Sequence, residues 1–347
     1  MEGILDIGLS LSLWLQLNYP GLRGVMTWIS ILGQFEVYLA LLLFIYWCID
    51  KRAGVHVAYL LGLTYVLTNM GKHFWRGPRP FWLDETLNVA ETGGYGVPSG
   101  HTSSATVMYL YLAYWAKRRW AWGLALGGIF LMGLSRIYLG QHFLHDVFAG
   151  FLLGLAVFVG YLVWMRYAYS RFQNQILGRR FWTAVAVPVV LGGLYFLGLL
   201  LLGIADDSVA WAEAVALAEL ASMEDMIASL GVLLGLGMGF VLEGSRVRFT
   251  VDGEWWMRLL RYALGLAGAL ATLYGLRWLF GLVAPEGTTI FLVLALRFVR
   301  YAATAFVSAF YLPMLFVRLG LADDMPPATI EVAPPRPSPL NGTGDKK

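Results

Sequence analysis

Cysteine occurs once in this chain, at Cys48 in an apolar run. No intrachain disulfide can form, and the redox compartment stays open. Charge is scarce as well: 14% of the 347 residues are Asp, Glu, Lys or Arg, where a soluble domain carries about a quarter. The formal net charge of +3 is too small to suggest a nucleic-acid partner. There is no internal repeat and no glycine-rich loop of the kind that cradles nucleotides. Histidines and carboxylates form no convincing cluster at metal-ligand spacing, so chemistry without a metal or cofactor is expected.

What the chain has is apolar length. Hydrophobic residues make up 59% of it, in runs long enough to cross a bilayer, so an all-α, polytopic helical membrane protein is expected. Nine spans can be drawn: Met26–Ile49, His56–Gly71, Thr102–Trp115, Trp120–Leu139, Phe143–Met165, Phe181–Leu202, Met226–Leu242, Leu259–Val283 and Ile290–Val317. Ahead of them, Ile4–Leu17 is interrupted by Asp6, two serines and a glycine and lacks the basic start of a signal peptide. It reads as an interfacial helix, with a tenth span as the alternative. Four stretches follow: an interfacial segment (1–25), a core (26–202), additional C-terminal helices (203–320) and a proline-rich, disordered cytoplasmic tail (321–347). Asn341-Gly342-Thr343 in that tail matches a glycosylation acceptor by chance.

Loop charges orient the bundle. Lys51-Arg52, Lys117-Arg118-Arg119, the stretch Arg166 to Arg180, and Arg246 with Arg248 fall in alternate loops. The positive-inside rule places those loops in the cytoplasm. Gly203–Glu224 has no Lys or Arg and belongs outside. The N-terminus is then outside and the C-terminus inside.

Three motifs stand out against this background, because polar clusters inside a membrane are costly and usually functional. Lys72 with Arg79-Pro80 ends the second span and enters a loop restricted by Pro78 and Pro80. In Pro98-Ser99-Gly100-His101 a turn precedes a helix, Ser99 can cap it, and its first N–H groups can face an anion. His101 beside that anion is a candidate general acid. In Ser135-Arg136 followed by His142 and Asp146, the last two are four residues apart and share a face of the fifth helix. Asp146 can orient one ring nitrogen of His142 and leave the other as a lone-pair nucleophile, while the fork of Arg136 suits two phosphate oxygens. Taken singly, each motif also fits a bland role: a structural His–Asp bond, a turn before a helix, a snorkelling cation.

Together these residues resemble the type 2 phosphatidic acid phosphatase superfamily, over about Val55 to Leu155. The resemblance implies a six-helix core in the first six spans, with about three additional C-terminal transmembrane helices. It also implies a phosphohistidine on His142, with His101, His142 and Asp146 catalytic and Lys72, Arg79, Ser99, Gly100 and Arg136 binding phosphate. The cations can replace a metal at the transferring phosphoryl group. The expected function is an integral membrane phosphatase of a lipid phosphate or prenyl diphosphate, in a bacterial plasma membrane with its site facing the exterior. A phosphatase of soluble esters and a non-enzymatic anion transporter are the alternatives. The bilayer and a phosphorylated lipid are the expected partners.

Other polar residues are read more plainly. His145 packs or supports the site, and His73 and His56 are interfacial. Arg76 either meets the headgroup or pairs with Asp84 or Glu85. Arg277, Arg297 and Arg300 lie inside C-terminal spans and need partners, for which Glu219, Glu224 and Asp225 are candidates. Otherwise Arg277 or Arg297 helps recognise an anionic headgroup.

The orientation has a direct check. Single cysteines at Asp84 and at Arg118, in a Cys48→Ser background, are treated with an impermeant thiol reagent. The Asp84 position reacts from outside and the Arg118 position does not; the reverse pattern overturns the orientation.

Overall fold

The expected spans fold as helices, and among the described residues there is no β-strand, only an isolated bridge between Phe249 and Asp324. The computed structural model describes residues 2–87, 93–206, 208–285 and 287–324. The proline-rich tail from Met325 onward, with Asn341-Gly342-Thr343, lies outside the described residues. In order come α1 (Glu2–Asn18), α2 (Arg23–Ile31), α3 (Phe35–Phe44), α4 (Lys51–Trp75), the short α5 (Pro80–Leu83), α6 (Gly100–Ala116), α7 (Arg119–Tyr138) and α8 (Leu144–Tyr167). After the short α9 (Tyr169–Gln173) follow α10 (Leu177–Leu202), α11 (Ala212–Arg246), α12 (Trp255–Val283) and α13 (Ile290–Phe306). A π-turn at Val307–Tyr311 carries α13 on into α14 (Leu312–Arg318).

Seven of these segments are long and apolar enough to cross a membrane, or eight if the bent pair α2–α3 is one span. The remaining expected position is α6. Its 17 residues span about 26 Å, a little under the hydrocarbon thickness, and it is largely buried between α4, α7 and α8.

Two expectations about the spans and one about the tail need correction. Met26–Ile49 is not one straight helix: the chain bends by 51° between Ile31 and Phe35. There Gly33 and Gln34 bond back three residues, to Ser30 and Ile31, and Gln34 is extended, so the α-helical ladder is broken. Second, α11 begins at Ala212 rather than Met226, about 21 Å earlier along the helix. Ala, Leu and Glu favour that continuation, while Glu213, Glu219, Glu224 and Asp225 hide it from a hydropathy reading. Third, the tail does not start free at Leu321. The carbonyl of Leu321 accepts from the buried guanidinium of Arg261 at 2.7 Å, and Asp323 accepts from the Thr250 N–H at 2.8 Å.

Helix α1 lies against the end of α7. Ser12 Oγ donates to the Ile137 carbonyl at 2.9 Å, and Gln16 Nε2 to that of Tyr138 at 2.7 Å.

Close helix packing rests on glycine, because van der Waals contact has to replace the hydrophobic drive inside a bilayer. Gly150 and Gly154 face α6 from α8: a Cβ at Gly150 would lie 2.5 Å from the Ser99 carbonyl oxygen, and one at Gly154 2.6 Å from that of Ser103. On α11, Gly231, Gly235 and Gly239 present the same four-residue spacing to the helix running from α13 through Tyr311. Replacing Gly150 by Ala therefore costs about 1–3 kcal/mol, read as a lower thermal midpoint in detergent. Gly160→Ala, on the same helix with no atom within 4 Å of its Cβ, is neutral or stabilising by up to about 1 kcal/mol. Equal behaviour of the two variants would contradict this packing.

Candidate active site

The three motifs meet at one end of the bundle, where α4, α6, α7 and α8 turn. Helix α4 stops because Arg76 adopts a left-handed conformation (φ 47°) and its N–H caps the Lys72 carbonyl. The chain then runs back beside the segment 93–97, and Gly96 N–H donates to the Gly77 carbonyl at 2.9 Å. Ser99 is the N-cap of α6, its Oγ accepting from the Thr102 N–H at 3.5 Å and from the Thr102 hydroxyl at 3.0 Å. Gly100 opens the helix.

His142 is not on the fifth spanning helix, as its spacing suggested. It sits in the turn before α8, where its N–H and that of Gln141 both reach the Arg136 carbonyl, at 3.3 and 3.0 Å. Asp146 is in the first turn of α8, and its Oδ2 accepts from the Phe143 N–H at 2.9 Å. The same oxygen lies 3.4 Å from His142 Nδ1, without forming a hydrogen bond to it. His145 Nε2 lies 3.1 Å from Oδ1, unaligned, with its ring stacked on Phe143. Asp146 thus faces two imidazoles and a helix N-terminus at once.

The three cations are all buried but differently engaged. Arg79 donates to four carbonyls, those of Gly93, Gly94, Tyr95 and Gln141, at 2.7–3.3 Å. Four of its five N–H donors are thereby used, and it braces the loop before Ser99. Arg136 bonds the Ser30 hydroxyl through Nη1 and leaves Nε without a partner. The Lys72 ammonium makes no hydrogen bond or ion pair with any described residue. Lys72 and Arg136 are therefore the cations with most of their donors free for an anion, and Arg79 keeps one. His142 is 2% exposed. Burial first, then the charges of Arg79, Arg136 and Lys72, hold its imidazole well below the ordinary value, so the ring is neutral, as a nucleophile must be.

The model of the PAP2 superfamily matches residues 53–170, and that of the PAP2 superfamily phosphatase transmembrane extension matches residues 227–324. The chain belongs to the PAP2 superfamily. The resemblance drawn from the three motifs is borne out, and the protein is an integral membrane phosphatase. It is similar to glucose-6-phosphatase catalytic subunit 1 of Rattus norvegicus, with 26% identity over 92% of this chain and 96% of that one. It is also similar to phosphatidylglycerophosphatase B of Bacillus subtilis, with 29% identity over 41% of this chain and 74% of that one. Among solved structures, a PAP2-type phosphatidylglycerolphosphate phosphatase from Bacillus subtilis matches 46% of this chain and 84% of its own, at 26% identity and a TM-score of 0.41.

Within this PAP2 phosphatase, several residues near the site were not foreseen. Ser30 and Gly33 come from the bend between α2 and α3. Gly33 packs so close to His101 that a Cβ would lie 2.7 Å from its ring. Glu219, on the unforeseen first turns of α11, holds three groups: His73 Nε2 at 2.8 Å, Arg76 Nε at 2.9 Å and the Tyr95 hydroxyl at 2.8 Å. This corrects two expectations. His73 is fully buried between Glu219 and Tyr195 rather than interfacial, and Arg76 pairs with Glu219 rather than Asp84 or Glu85. His56, partly buried near the start of α4, meets the hydroxyls of Tyr111 and Tyr161. The signal that could have revealed Glu219 is an acidic residue on an apolar helix face, which demands a partner.

Glu219→Ala leaves three polar groups unmet, so stability falls by about 1–3 kcal/mol. Phosphate release falls too, because the Lys72–Arg79 loop loosens. Glu219→Gln, whose amide can accept from Arg76 and Tyr95 and donate to His73, recovers most of both. A Glu219→Ala enzyme with the wild-type thermal midpoint and turnover would refute this brace.

Proposed function

We propose that this phosphatase hydrolyses the phosphate ester of a membrane lipid, or a prenyl diphosphate, through a phosphohistidine on His142. The observation that carries it is the cluster of buried His142, Lys72 and Arg136 with partly buried His101 among them and Asp146 behind, gathered where the helices end. Neutral His142 attacks phosphorus in line through Nε2, forming an N–P bond as the P–O bond to the leaving group breaks. Its Nδ1–H turns to Asp146, whose charge favours the imidazolium. Lys72, the Arg136 fork, the last Arg79 donor and the N–H groups at the start of α6 hold the equatorial oxygens. The arriving phosphate favours the protonated ring of His101, which gives its proton to the departing oxygen. Water then attacks phosphorus, with neutral His101 taking its proton; the N–P bond breaks and phosphate leaves.

The lipid assignment follows from depth. With its tails already in the bilayer and its phosphate at the ends of the spans, a lipid gives up less freedom on capture than a solute. The basic loops at the opposite end support an outward-facing site. A second reading, a soluble phosphate ester, is favoured by the end-to-end similarity to rat glucose-6-phosphatase catalytic subunit 1.

Detergent-purified enzyme, with chelator present, is assayed for kcat/KM on a long-chain lipid phosphate, a prenyl diphosphate and glucose 6-phosphate. A lipid substrate wins by at least about tenfold, or roughly 1.4 kcal/mol, and His142→Ala abolishes all turnover. Comparable hydrolysis of glucose 6-phosphate overturns the lipid assignment and leaves the His142 mechanism standing. Full activity in His142→Ala overturns the mechanism.

A further inference from the structure

The transmembrane extension carries three arginines that the hydrolytic site does not use. Arg277 lies about 9 Å before the end of α12, and Arg297 and Arg300 lie about 10 and 15 Å into α13. The two helices are antiparallel, so all three come to similar depth, at the end of the bundle that holds the catalytic cluster. They line one open cavity of about 430 Å³, whose other walls include Phe280, Leu296 and Tyr301. That volume falls in the usual range of small-ligand sites.

Their charges are unequally met. Arg297 is paired: Nη1 lies 2.9 Å from Glu224 Oε2 and Nη2 3.9 Å from Asp225, and Nε donates to the Glu224 carbonyl. Arg300 has only the ring of Tyr301, 5.1 Å from its guanidinium carbon, and its buried Nε has no partner. Arg277 is exposed on a face with Tyr274, Trp278 and Leu282 and has no carboxylate within ion-pair distance among the described residues. Snorkelling explains a lone arginine near a helix end. It does not explain two unpaired arginines converging on a third, one of them deeper and with a buried donor. Like charges in a poorly screened setting repel, and an anion between them relieves both the repulsion and the missing hydrogen bond.

We propose that this cavity binds the phosphate group of an anionic lipid, at a site separate from the catalytic cluster and independent of which ester that cluster hydrolyses. Guanidinium forks from two helices suit phosphate oxygens, and the apolar walls and exposed aromatic residues beside Arg277 suit acyl chains. Such an occupant joins α12 to α13 and, through Arg297, to α11.

The full-length protein is placed in phosphatidylcholine nanodiscs with and without phosphatidylglycerol, whose phosphodiester is not the ester class assigned to His142. Bound lipid is read by native mass spectrometry and stability by the thermal midpoint. Phosphatidylglycerol raises the midpoint of the wild type by about 2–4 °C, and one molecule is retained. Arg277→Gln and Arg300→Gln lose both effects, while Arg277→Lys keeps most of them. If Arg300→Gln does not fold, the exposed Arg277→Gln decides. Inorganic phosphate added to neutral nanodiscs separates the sources: an equal rise there assigns the cavity to free phosphate, and none assigns it to lipid. A phosphatidylglycerol effect unchanged in both Gln variants, or absent from the wild type, overturns the proposal.

Discussion

Asp146 is fully buried in the first turn of α8, where the second and third motifs meet it and the charge of Arg79 lies nearby. Its carbonyl takes the Ser99 N–H at 3.0 Å, which fixes the start of α6 against the start of α8. Its carboxylate caps the turn through Phe143 and lies beside His142 and His145. The approach is possible because Gly150, one turn further along α8, has no side chain to meet the Ser99 carbonyl. A buried carboxylate is costly without compensation. Here a helix N-terminus, through the Phe143 N–H, and the nearby Arg79 offset part of that cost. A structural need, capping α8, and a chemical one, orienting the proposed nucleophile, are met by the same atoms.

The cations around Asp146 divide the work. A buried guanidinium must find acceptors, and Arg79 finds four carbonyls, which turns an irregular loop into a rigid wall. Arg261, on α12, is satisfied in the same way by carbonyls of Trp47, Thr250, Asp252 and Leu321. Both are fork-shaped donors used to tie loops together, a task a single ammonium point performs poorly. Lys72 and Arg136 are left with unmet donors in a buried place. That is the expected state of groups whose acceptor arrives with the substrate.

Local relations within the chain were legible before any coordinates. Ser99 caps a helix because a hydroxyl before a turn of small residues does so, and Lys72 and Arg136 end helices because apolar runs stop there. The family followed from those spacings. Relations across the chain were not legible. Nothing in the first span says that its bend places Ser30 on Arg136, since that contact spans 106 positions. The four-residue spacing of His142 and Asp146 suggested one helix, yet the helix begins between them, because Asp146 caps it. For Arg76 the sequence offers a headgroup or the nearby Asp84 and Glu85, whereas its carboxylate is 143 positions away.

Glu219 shows why the extension is more than an addition to a finished core. The loop carrying Lys72 and Arg79 leaves the bundle after a left-handed turn at Arg76, a conformation that costs energy in a non-glycine residue. Within α4 and its loop, no described acidic side chain meets Arg76 or His73. The first turns of α11 deliver one, and the Tyr95 hydroxyl joins it from the neighbouring loop. Further along the same helix, Ser229 takes the Asn69 side-chain amide at 3.0 Å, while Gly231, Gly235 and Gly239 seat it against α13. One helix therefore connects the Lys72 loop on one side to the arginine-lined cavity on the other. Removing residues beyond the core would leave His73, Arg76 and Tyr95 facing a gap where their shared carboxylate had been, so the core motifs alone do not make this site.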